Sequence, residues 1–235
     1  MSINYKRKFE RIKKFLHDKG SGLVPINDEA EYKDKFSGSA LGNETKLFKA
    51  YEKAWDARKF EIDNYWKRTT YFWAFQITSF TGYLAVINSS NYKDNENSEI
   101  LFCIIAIGYI TALSWALINI GSKFWQRHWE KHIDLLEDEI TGPLYKTVYT
   151  HKSIRTFSVS KINELISDFF VVIWVLLGIK YFREHLCIIC NNDLAYIELT
   201  VLIFLIIFTY SMYNGYGRGN FKPTYFKFYS RQVFK

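Results

Sequence analysis

Four stretches of about twenty residues carry almost no charge, and a hydrocarbon layer ~30 Å thick is crossed by a helix of that length. They run from Thr69 to Asn88, from Ile100 to Ile120, from Leu165 to Phe182 and from Ala195 to Tyr213. The first two contain no Asp, Glu, Lys or Arg. The third carries Asp168 and Lys180 near its ends, and the fourth Glu198 near its start. Core helices of soluble proteins rarely run so far without a charged face. The pattern therefore predicts an all-α, polytopic helical membrane protein with four transmembrane helices and cytoplasmic helical extensions. Mean hydropathy is only slightly negative, −0.13, because the polar residues are blocked elsewhere.

Orientation follows from Lys and Arg. Of the 31, 16 precede the first stretch, 7 lie between the second and third, and 5 follow the fourth. Lys93, Lys180 and Arg183 are the other 3. The positive-inside rule places the 28 in the cytoplasm, with both termini. The loop NSSNYKDNENSE, with three acids and one Lys, suits the outer side. Anionic lipid on the cytoplasmic leaflet is partner enough for the +7 net charge, so no nucleic acid is expected. No secretory signal is expected, since Met1 to Lys19 is basic and lacks an apolar core.

Five regions result: a cytoplasmic N-terminal helical region (1–68), a first transmembrane hairpin (69–120), a cytoplasmic extension and linker (121–164), a second hairpin (165–213) and a basic-aromatic tail (214–235). Residues 3 to 16 pattern as an amphipathic helix, with Tyr5, Phe9, Ile12 and Leu16 on one face; a membrane surface or neighbouring helices can cover it. Residues 20 to 43 read as a polar linker.

From Glu44 to Arg68 a long helix leads into the first span. Phe48, Tyr51, Trp55, Arg58, Ile62 and Tyr65 recur at three and four residues, a coiled-coil-like seam that needs a partner. Trp125, Trp129, His132, Leu136 and Ile140 supply one after the second span, until Gly142-Pro143 ends that helix. Trp55 and Ile62 are expected to face Trp129 and Leu136.

Two segments carry a family resemblance: AWDARKFEIDNYWKRTTYFW, residues 54–73, and GSKFWQRHWEKHIDLLEDEITGPLYK, residues 121–146. Together they resemble the RipA family of small bacterial membrane proteins, described as octameric. The similarity spans about a third of the chain and includes no catalytic signature. It carries over Arg58, Glu61, Trp66 and Arg68 from the first pattern, and Lys123, Trp125, Trp129 and Glu130 from the second. It implies a bacterial inner membrane and a homo-oligomer.

Four constellations bear on chemistry. His128 and His132 share a helical face, but HxxxH without further ligands is a weak metal signal; a polar interface or a pH sensor are the other readings. Cys187 and Cys190 form a single CxxC beside His185; a redox pair or metal site is one reading, and packing near the end of the third span, favoured by the lack of a second ligand pair, is the other. Gln76, Asp168 and Glu198 mark an ion path if the oligomer conducts, and otherwise snorkel or bridge helices. The tail mixes aromatic and basic residues as an interfacial anchor does. No phosphate loop, nucleophile elbow or paired-carboxylate motif occurs. The expectation is a non-enzymatic protein without metal or cofactor. It is a homo-oligomeric scaffold that recruits a cytoplasmic protein partner or, alternatively, a channel.

Overall fold

The computed structural model describes residues 23–26, 28–38, 45–89, 95–147, 157–189, 196–214, 217 and 229–231. The amphipathic segment 3–16 and Cys190 lie outside them. In chain order the elements are β1 (Leu23–Pro25), α1 (Glu29–Asp34), α2 (Lys46–Ile87), α3 (Asn95–Leu136), a 3₁₀ turn (Glu137–Glu139), α4 (Val159–Ile189), α5 (Tyr196–Asn214) and β2 (Tyr229–Arg231). Helices dominate, as the apolar runs predict.

α2 and α3 form an antiparallel hairpin of equal arms, 42 residues each. Each spans roughly 63 Å, about twice the hydrocarbon thickness. α2 starts where the Thr45 hydroxyl accepts the Phe48 N–H at 3.2 Å, occupying one of the donors a helix start leaves free. α3 tightens into the 3₁₀ turn and stops before Gly142, whose φ of +69° suits a residue without Cβ, followed by Pro143.

Two apolar clusters divide the hairpin. The first joins Tyr83 of α2, Leu101, Phe102, Ile105 and Ala112 of α3, and Trp174 and Tyr181 of α4. The second, the head, joins Tyr32 of α1, Tyr51 and Ala54 of α2, and Ile133 and Leu136 of α3, with Trp55 and Trp129 packed against it. α3 is the central element, contacting α2, α4 and α5.

Among the described residues three helices are long and apolar enough to cross a membrane: Asn97–Glu139, Val159–Glu184 and Tyr196–Asn214. α2 is not among them, because its apolar half carries Gln76, Thr78, Ser79 and Thr81.

The polar stretch read as a linker is more structured than its composition suggests. Asp28 caps α1 by accepting the Glu31 N–H at 2.7 Å, and Tyr32 is buried against α3. β1 pairs antiparallel with β2 of the tail, Val24 opposite Ser230. A six-residue helix has too few turns to show periodicity, so sequence reading passes over it.

Gly108 of α3 faces Trp174 of α4 at close quarters. A Cβ there would lie 2.3 Å from the ring of Trp174, so the two helices close only around a glycine. Replacing Gly108 by Ala should overpack this contact and cost about 1–3 kcal/mol. Thermal unfolding of the detergent-purified protein measures it; an unchanged melting temperature would show that the helices do not meet here.

Candidate functional site

Only part of the seam expected between α2 and α3 gathers in the head: Tyr51 and Ile140 join its cluster, whereas Phe48, Tyr65 and Trp125 lie outside it. Trp55, Trp129 and Leu136 join one cluster, whereas Ile62 lies half-buried outside it. Arg58 spans the seam: its guanidinium reaches Glu130 at 3.4 Å and lies over the rings of Trp55 and Tyr145, at 5.5 and 5.2 Å. Arg68 donates to the Ser122 hydroxyl at 2.7 Å and approaches Glu61 at 3.9 Å. Trp66 and Trp125 are exposed, where the helices pass toward the apolar half.

Sequence reading missed Glu137. This carboxylate is fully buried and accepts the backbone N–H groups of Tyr145 and Lys146, at 2.6 and 3.0 Å. It folds the segment after α3 back onto the head. Lys146 to Asp138 at 2.7 Å and Tyr51 to Thr141 at 3.3 Å hold the same segment. Burial pushes the Tyr145 phenol up, so it stays protonated against the rings. α1 docks through Tyr32, whose hydroxyl meets Nδ1 of His132, and through Lys33, which bridges Glu29 and Glu139 at 3.2 Å each. Those hydrogen bonds hold the Lys33 ammonium above its usual range, and burial raises the Tyr32 phenol. His128 and His132 do share a face, ring centroids 4.6 Å apart. Among the described residues no three His, Cys, Asp or Glu side chains cluster as metal ligands.

In the apolar half, polar side chains form three separate layers. Nearest the head, the Asn163 amide donates to Tyr65 at 2.7 Å and to Thr69 and Asn119 at 3.2 Å, while Asn119 donates to Ser167 at 3.1 Å. In the middle, Gln76 accepts from Trp174 Nε1 at 2.6 Å and donates to Thr111 at 2.9 Å. At the far end, Tyr181 shares a hydrogen bond with Ser98 at 2.8 Å and donates to Glu198 at 3.1 Å. The other Glu198 oxygen is buried with no hydrogen-bond partner among the described residues.

Rings fill the space between layers. Phe80 lies 4.5 Å from Trp174, and Phe102 stacks on Tyr181 at 5.1 Å. Among the described residues no hydrogen bond joins Gln76, Asp168 and Glu198: Asp168 is exposed on α4, and the other two sit in different layers. His185 and Cys187 fall within α4. Asn119 was visible in sequence as an amide inside an apolar run, yet nothing there named Asn163 as its partner.

The buried Glu137 gives a local test. Replacing it by Ala orphans two backbone donors, at about 1–3 kcal/mol, which corresponds to a roughly 5- to 150-fold larger open population of segment 140–147. Trypsin cleavage after Lys146 should accelerate accordingly. Equal cleavage of parent and variant would mean that Glu137 does not hold the segment.

A search of the curated proteins and one of the solved structures found no match. A family model does match, over residues 48–183: the octameric membrane protein family, 8xMP. The match takes in the Arg58 seam, the Glu137 clasp and all but the Glu198 end of the polar layers, more than half of the chain. This chain is a member of the octameric membrane protein family.

Proposed function

We propose that the protein is a homo-oligomeric assembly platform of the bacterial inner membrane, without catalytic activity, whose head recruits a cytoplasmic protein partner. The observation that carries this reading is the continuity of α2 and α3. Both run unbroken from the apolar bundle into a head with its own buried core. A helix pair of that kind fixes the head rigidly relative to the bilayer, as a platform requires. The family's octameric description supports self-assembly, and the RipA resemblance supports the bacterial setting.

In this reading α2 supplies a fourth span, over residues 69–88. It lies along α3 where α3 is apolar, and its Gln76 points inward, bonded at both ends of the amide. A polar group satisfied inside the subunit costs little in hydrocarbon. Both termini then face the cytoplasm, as 28 of 31 Lys and Arg residues favour. Compartment reporters fused after Lys93 and after Arg231 should report opposite sides of the membrane. The same side for both rejects the four-span topology.

The competing reading is a channel. Gln76 is the mid-depth polar group best suited to a pore, and its inward bonds count against that role. Proteoliposomes decide between them. The platform reading expects ion flux from the reconstituted oligomer no higher than from empty liposomes, across several pH values. Flux lost on Gln76→Leu, with the oligomer intact, would establish the channel instead.

A further inference from the structure

The side of α2 opposite the buried Tyr65, Gln76 and Tyr83 carries Thr70, Ala74, Thr78, Thr81 and Ala85, all exposed. Spacings of four, four, three and four keep them within roughly a quarter turn of one another. Exposed Tyr71 and Phe75 rise along one edge, and Ile77 and Leu84 along the other. The result is a groove floored by small side chains. Thr70 and Thr81 bond the carbonyls of Trp66 and Ile77, at 3.1 and 2.8 Å, so both hydroxyls are satisfied within the helix.

α4 has the complementary relief. Opposite the buried Asn163, Ser167 and Trp174 lie Leu165, Phe169, Val172, Leu176 and Ile179, all exposed at spacings of four, three, four and three. They form a ridge of large apolar side chains with coiled-coil periodicity.

The internal hydrogen bonds set the relative heights. Asn163 bonds Thr69 and Trp174 bonds Gln76, so level positions on α2 and α4 differ by 94 to 98 in number. Taken in order, each groove residue and the matching ridge residue differ by 94 or 95. A ring's rotation axis stands normal to the bilayer, so every residue keeps its depth from copy to copy. Thr78 of one copy therefore lies level with Val172 of the next.

We propose that the α4 ridge of each subunit seats in the α2 groove of its neighbour, and that this contact closes the ring. The proposal rests on the reading that the chain self-assembles and that α2 crosses the membrane. Lipid is the competing occupant. Lipid tails are as apolar as Leu, so burying the ridge gains nothing from water exclusion; close approach over small residues is what draws membrane helices together. The two surfaces differ from each other, as a head-to-tail contact requires, and head-to-tail contacts are the kind that close into rings.

Disulfide trapping tests it. In a background with Cys103, Cys187 and Cys190 replaced by Ala, Thr78→Cys and Val172→Cys are combined and oxidised in the membrane. The double variant should give a ladder of linked subunits on a non-reducing gel, and each single variant none beyond background. Thr78→Trp, which fills the groove, should split the particle, while Thr78→Ala should leave its size unchanged. No ladder from a double variant that keeps the parental particle size overturns the interface, as does an equal band from either single variant. A parent protein that is monomeric sinks the assembly reading itself, and this interface with it.

Discussion

The indole of Trp174 lies against the bare Cα of Gly108 and donates its N–H to Gln76, which in turn reaches Thr111. Three helices are locked by that one contact. Gly108 sets how closely α3 and α4 approach, Gln76 sets the height of α2 against both, and Phe80 and Tyr83 close around the same ring. In water such a bundle would be driven together by burying apolar surface. In hydrocarbon that force disappears, and packing and interhelical hydrogen bonds must specify the arrangement. A layer of fixed donors and acceptors does so, because sliding one helix by a turn would strand every amide in it.

The layers at Asn163 and Tyr181 repeat this logic toward the two ends of the bundle. Asn163 binds side chains from both α2 and α3, and Tyr181 links α3 through Ser98 to α5 through Glu198. α5 is held against the bundle by this link, by Ser114 to Met212 and Thr209 to Tyr109 at 3.4 Å each, and by Val201, Leu202 and Leu205 packed on the first cluster. With rings between the layers, the hydrogen bonds join helices across the bundle and do not run along it.

Much of the architecture is legible in the sequence because length and charge alone decide it. Apolar runs place the helices, and a three-four pattern places Trp55 and Trp129 on the same head cluster. The remainder depends on direction, which a one-dimensional pattern does not encode. Gln76 reads as a polar group at mid-depth; only packing shows that Trp174, nearly one hundred residues away, holds it. Glu137 reads as one acid in an acidic turn, although it is the one buried on backbone donors while Asp138 and Glu139 remain exposed. α1 is invisible for a further reason: Tyr32 is its one buried residue, and a single residue has no period.

The head gives the continuous helices a purpose that the membrane part alone does not explain. A helix crosses the bilayer in about twenty residues, and each arm has 42. The other half of each arm is held by Arg58 to Glu130 and by the segment that Glu137 folds back. That segment connects α3 to α4, so the second pair of helices is reached only through the head. α2 also meets α4 at the head-side end of the bundle, where Asn163 donates to Tyr65 at 2.7 Å, so a displacement of the head bears on α4 as well as on α2 and α3.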